Sequence, residues 1–262
     1  MPEAFRVPAD GPDVFRNFVL PIPLSERRFV RAFEFRPGNP RVVHHVRFLL
    51  DESGDLRRRD TADAEAGFAG MDAPGAHFPD GHFLGWAPGK MPTREAYPWP
   101  LEPGADLVVQ MHLKPSGRRE PVQASIGLYF TNTPPARTPV LLRLGSKTID
   151  IPAGAPGYDV VDRFELPADL SLVSIYPHAH YLARDMSVIA HRPDGRDELL
   201  LHIGDWNFNW QDEYTYSTPR VLPRRTTIEM RYRYDNSAVN PRNPASPPER
   251  VRFGPGTRDE MG

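Results

Sequence analysis

The stretch Thr226-Thr227-Ile228-Glu229-Met230-Arg231-Tyr232-Arg233-Tyr234 decides the fold class. Apolar residues at 228, 230, 232 and 234 alternate with charged residues at 229, 231 and 233. Successive side chains of a strand point to opposite faces, so this pattern fits a β-strand with one buried and one wet face. The same period recurs from 29 to 36, where Phe33 and Phe35 alternate with Glu34 and Arg36. Further strand-like runs lie at 15–23, 81–88, 105–113, 122–130, 140–151, 159–166, 171–191, 197–204 and 214–222. Turn signals punctuate them: Pro37-Gly38-Asn39-Pro40, Pro115-Ser116-Gly117 and Pro193-Asp194-Gly195, the last closing a hairpin after 171–191. Thirty-one prolines and 20 glycines suit short strands joined by turns, and prolonged helical periodicity is absent. The chain therefore reads as all-β, with two antiparallel, jelly-roll-like β-sandwich domains in series.

A length of 262 residues suits one large or two medium domains. The best linker is Thr131-Asn132-Thr133-Pro134-Pro135-Ala136-Arg137-Thr138-Pro139, which divides the chain into 1–133 and 134–262. Residues 51–80 are polar and rich in Ala and Gly, and are expected to form a long irregular excursion. Residues 91–100 read as a proline- and aromatic-rich link. A net charge of -2 gives no reason to expect nucleic acid or an anionic membrane as partner. The run Arg57-Arg58-Arg59 sits among acidic residues and reads as solvated loop charge. Cysteine is absent, which removes disulfides and thiolate metal sites from consideration. No apolar run approaches the ~18 residues of a membrane span, so no membrane insertion is expected. Met1-Pro2-Glu3-Ala4-Phe5 lacks the basic and apolar regions of a signal peptide.

The histidines carry the chemical signal. Tyr176-Pro177-His178-Ala179-His180-Tyr181 has Leu170, Leu172, Val173 and Ile175 before it and Met186, Val188 and Ala190 after it, and is read within one long strand. Residues i and i+2 of a strand share a face, so His178 and His180 point the same way. Such a pair can hold one metal ion, or be two ordinary histidines of core or surface. His44 and His45 are adjacent in the β-branched run 42–50. In a regular strand they face opposite sides, and both reach one ion only if a bulge or strand end re-aims one of them. His112 lies on the run 105–113, while His77 and His82, at the end of the excursion, read as non-ligands. His44, His45 and His112 fall in one half with no obvious carboxylate partner. Three imidazoles suit copper, zinc or iron. Trp86, Trp99, Trp206 and Trp210 allow one further reading, stacking platforms of a carbohydrate-binding sandwich, against an ordinary core role.

Four motifs span most of the chain in order: Val43-His44-His45-Val46, Leu107-Val108-Val109-Gln110-Met111-His112, His178-Ala179-His180 and Gly256-Thr257-Arg258-Asp259-Glu260-Met261. Together they resemble the ascorbate-dependent copper type II monooxygenases, the peptidylglycine α-hydroxylating and dopamine β-monooxygenase family. Trp206-Asn207-Phe208-Asn209-Trp210-Gln211 and Tyr234-Asp235-Asn236-Ser237-Ala238-Val239-Asn240-Pro241 are similar to its bacterial branch. The resemblance implies two separated mononuclear coppers, with ascorbate or an equivalent reductant as co-substrate. His44, His45 and His112 match the ligands of the electron-storing copper. His178, His180 and Met261 match those of the catalytic copper, where O2 binds and a small organic substrate is hydroxylated. A thioether is a soft ligand that favours Cu(I), in keeping with the second role. Periplasmic or extracellular action is implied in the same way.

Two departures qualify the match. Tyr176 stands where the peptide-processing member has an arginine for the substrate carboxylate, so glycine-extended peptides are not expected as substrates. Family members also continue past the methionine, whereas Gly262 is last here, so Met261 is expected on a fraying, weakly held terminus. That early stop keeps open a reading of another class, a non-catalytic copper-binding or electron-transfer protein.

Overall fold

The structure, a computed structural model, describes every residue except Met91, Pro255 and Thr257, together with the side chains of residues 93–96. Thr257 of the fourth motif and Met91 of the 91–100 link thus lie outside the described residues. The chain divides into two compact units, Met1–Leu141 and Leu142–Gly262. The first contains β1 (Phe5–Val7), β2 (Val14–Pro21), β3 (Arg28–Arg36), β4 (Val43–Asp51), α1 (Asp55–Ala62), β5 (Phe68–Ala69), β6 (Gly85–Trp86), β7 (Thr93–Leu101), β8 (Asp106–Leu113), β9 (Glu120–Val122) and β10 (Ser125–Thr131). The second contains β11 (Asp150–Ile151), β12 (Tyr158–Glu165), β13 (Leu170–Ile175), β14 (Ala183–His191), β15 (Asp197–Ile203), β16 (Tyr214–Leu222), β17 (Thr227–Tyr234) and β18 (Val251–Arg252). The protein is all-β with antiparallel sheets, and α1 is the one helix among the described residues. Among the described residues, no helix is long and apolar enough to cross a membrane.

In the first unit a five-stranded sheet, β5-β2-β8-β4-β6, and a three-stranded sheet, β10-β3-β7, share a core. Phe48 of β4 meets Phe33 and Phe35 of β3 edge-on, at ring-centroid distances of 4.5 and 5.1 Å. Burying each such ring contributes roughly 1.5–3 kcal/mol, so the β3 alternation is itself a source of stability. β8 is central and buried along its whole length, as a strand covered on both faces must be. Gly38 lies at φ +72° with the Gln123 backbone against its Cα, so the turn before β4 excludes any side chain there.

In the second unit the main sheet is β12-β17-β14-β15, beside the pairs β13-β16 and β11-β18. Ile228, Met230, Tyr232 and Tyr234 are buried as the alternation of β17 predicts. Glu229, on the opposite face, is buried too, between Arg163 and Arg231. Gly195, at φ +83°, closes the hairpin between β14 and β15.

Four expectations need correcting. Residues 51–80 are not wholly irregular, because the buried Asp51 carboxylate accepts the amides of Ser53 and Leu56 and starts α1. Arg57 is not simply solvated: it makes a bidentate pair with buried Asp106, at 2.6 and 3.0 Å. Residues 93–101 form β7, on a sheet edge, where prolines that cannot donate to a ladder are tolerated. From 140 to 151 only Asp150–Ile151 pairs; Val140, Leu141 and Leu142 are exposed, and an apolar run makes a strand only against a partner edge.

Candidate metal centres

His112 sits on β8 between β2 and β4, and the pairing register decides its neighbours. On one side it pairs with Phe15, on the other with His45. Between Val43 and His45 the β4–β8 register slips by one residue, the mark of a β-bulge with His44 as the inserted residue. The bulge meets the condition set by the sequence and turns both histidines toward His112. His44 Nδ1 lies 3.0 Å from His45 Nδ1, which lies 3.4 Å from His112 Nδ1. The three residues are a candidate metal-binding group whose ligand atoms all fall within 4.8 Å of one another. Nitrogens bound at about 2.0 Å with inter-ligand angles of about 95–115° stand roughly 3.0–3.4 Å apart. The 3.0 and 3.4 Å separations match those of neighbouring ligands on one ion.

The far side of the His112 ring is engaged as well. His112 Nε2 donates to the Asp13 carboxylate at 2.7 Å, and Phe15 stacks on the ring at 4.4 Å. A neutral imidazole has one N–H, so donation from Nε2 puts the lone pair on Nδ1, toward His45. No carboxylate adjoins these histidines in sequence; Asp13 is the partner of His112, brought in from 99 residues away by the β2–β8 ladder. Gln110, two positions before His112, receives Arg47 and donates to Asn17 and Met71, which ties three strands together beside the centre. His77 and His82 are elsewhere: His77 bridges Leu50, and the ring of His82 bonds the carbonyls of Asp80 and Tyr97.

In the second unit His178 and His180 do not lie on a strand. β13 ends at Ile175 and β14 begins at Ala183, with residues 176–182 passing between two different sheets. Pro177 cannot donate to a ladder, and Glu260 takes the amides that a neighbouring strand would have used. Its buried carboxylate accepts His180 N at 2.8 Å and Leu182 N at 2.6 Å, and Met261 N at 3.1 Å. Burial pushes Glu260 up to about 7, against the opposing pull of these amides and that of Ala183. Ala179 and Leu182, both buried, anchor the segment in the core with Trp206, Tyr232 and Tyr234.

This crossing nevertheless holds the two imidazoles together, with ring centroids 5.4 Å apart and planes at 89°. His178 Nδ1 donates to Gln211 Oε1 at 2.7 Å, and Gln211 Nε2 donates in turn to the Phe208 carbonyl. His180 Nδ1 donates to the Asp259 carbonyl at 2.9 Å, and Phe208 packs against the ring. Both lone pairs therefore sit on Nε2. Burial holds the His180 imidazole below its ordinary value, with the Asp259 carbonyl opposing, and a neutral imidazole is the form that binds metal. The main chain of Met261 is fixed at the same junction. Besides its amide bond to Glu260, its carbonyl accepts the Tyr234 hydroxyl at 2.8 Å, and Gly262 O accepts Ser146 N. The expected frayed end is tied down by these bonds.

Gln211 and Glu260 belong to the stretches 206–211 and 256–261, and their placement gives each a role beside the histidines. Of the four tryptophans, Trp99 and Trp206 are core residues and Trp206 Nε1 donates to His180 O, so the row of stacking platforms does not exist. The geometry thus yields two histidine centres, one in each unit. No family model matches the chain, and no curated protein matches it in sequence.

Proposed function

We propose that the protein is a copper-dependent monooxygenase with one mononuclear copper in each unit, each unit a jelly-roll-like sandwich acting in a periplasmic or extracellular setting. The observation that carries this reading is the convergence of His44, His45 and His112 Nδ1, with the proton of His112 held on Nε2 by Asp13. The donor set is all imidazole, which suits an ion that shuttles between Cu(I) and Cu(II). His178 and His180 supply two further imidazoles, and Glu260 accepts the main-chain amides of both His180 and Met261. A thioether as third ligand would favour Cu(I) over harder ions.

Bound copper would supply electron storage at the first centre and O2 chemistry at the second, so that O2, two electrons from ascorbate and two protons turn an unactivated C–H bond into C–OH and water. The residues around the ligands do the rest. Asp13 keeps a proton off the metal-facing nitrogen of His112, and Gln211 and the Asp259 carbonyl do the same for His178 and His180. Phe208 and Trp206, both buried, shield the second pair from water on the core side.

The test is copper content and ascorbate-dependent O2 uptake, measured across a panel of hydroxylatable compounds. Wild type should hold about two coppers per chain, and His112→Ala and Met261→Ala about one each. A single copper unaffected by His112→Ala would sink the two-site reading. Two coppers that ascorbate reduces, with no O2 consumed, would instead establish a non-catalytic electron-transfer protein.

A further inference from the structure

Surface imidazole–carboxylate pairs occur elsewhere in the chain, at His191–Asp197 and His202–Asp185, where the histidine side chains are 36% and 51% exposed. His112 differs because its side chain is 1% exposed. A buried ring N–H needs an acceptor, and Asp13 provides one with a charge-assisted bond. The antiparallel register explains how it gets there. Phe15 lies directly opposite His112 and Val14 opposite Leu113, so Asp13 is the diagonal neighbour of His112 on the same face as Phe15. Phe15 covers the flat of the ring and Asp13 holds its outer edge, which leaves Nδ1 directed at His45.

We infer that Asp13 is a positioning residue for the His44–His45–His112 centre, selecting the Nε2–H tautomer of His112 so that Nδ1 is the metal-binding atom. This deepens the proposed function and rests on its metal reading of that centre. The carboxylate also adds negative charge behind three neutral imidazoles, which favours the divalent over the monovalent state of a bound ion.

Long-range 1H–15N correlation spectra of the metal-free protein report the His112 tautomer directly, and Cu(II) titration reports affinity. Wild type should show the Nε2–H form. Asp13→Ala should populate the Nδ1–H form and weaken Cu(II) binding at this centre about 10–100-fold. Asp13→Asn retains a carbonyl acceptor without the charge. It should keep the tautomer with a smaller loss, and it serves as the folded control if the alanine variant is unstable. Copper binding with an unchanged His112 tautomer in Asp13→Ala overturns this assignment alone. A wild-type chain that takes up no copper overturns the metal reading, and this assignment with it.

Discussion

In the first unit His112 offers Nδ1, in the second His178 and His180 offer Nε2, and the difference comes from what holds the other nitrogen of each of these three rings. In the first, His112 is a strand residue whose outer nitrogen meets Asp13, a charged side chain from the neighbouring strand. In the second, His178 and His180 lie on a crossing between sheets, and their Nδ1 atoms meet a neutral amide and a main-chain carbonyl. One centre is built by register and a bulge; the other is built by a carboxylate, Glu260, that substitutes for a missing strand. The same ligand type is thus oriented by a ladder in one unit and by a clamp in the other. Under the proposed copper reading, an anionic partner behind the ring would favour Cu(II) at the first centre more than the neutral partners would at the second.

The contrast can be broken most forcefully at the clamp. Glu260→Ala strands two buried amides, those of His180 and Leu182, at about 1–3 kcal/mol each, and frees the half-buried amide of Met261. A total loss of about 3–5 kcal/mol is expected in urea unfolding, with loss of copper from the second centre alone. If stability is unchanged, the segment 176–182 is held by packing and the clamp is incidental.

Next comes the neutral partner. Gln211→Leu removes the acceptor for His178 Nδ1–H while keeping the buried volume. Copper affinity at the second centre should fall about 10–100-fold with the first untouched, as read by isothermal titration. Equal loss at both centres would contradict their separate support.

Acid separates the units through Glu229. Burial pushes its carboxyl up, but Arg163 and Arg231 more than compensate and hold it at about 2, below its ordinary 4.5. The folded state therefore binds this proton more weakly than the unfolded state does. The resulting stability is full above about pH 4.5 and is lost as pH falls toward about 2. Because both guanidiniums are about half exposed, solvent screening limits the effect to about 1–2 kcal/mol. Glu229→Gln should flatten that part of the acid limb of the pH–stability curve; an unchanged limb would remove Glu229 from the account.

The smallest change expected is at the stacked ring of the first centre. Phe15→Leu gives up the aromatic contact with His112 and should cost about 0.5–1.5 kcal/mol, with copper still bound. Loss of copper there would mean that Phe15, rather than Asp13, orients the imidazole.

Local pattern made the strands legible. The alternation in β3 and β17 is a property of single strands, and both occur where the sequence places them. Longer-range features were legible only as conditions. His44 and His45 could share an ion only if a bulge intervened, and whether it does depends on β8, some 65 residues away. The run 171–191 misled because apolar residues on either side of Tyr176–Tyr181 mimic a continuous strand, while Pro177 and the Glu260 clamp divert the chain. Asp13 carried no local signal at all.

By itself, then, the amino-acid order determined the all-β class, most strand positions and the histidines worth watching, because side-chain alternation and turn chemistry act over a few residues. Tertiary structure decided which ring nitrogen His112, His178 and His180 present, and it recruited Asp13, Gln211 and Glu260 to the centres. Hydrogen bonds between residues that are tens of positions apart exist only once strands have chosen their partners, and that choice is made by the whole core.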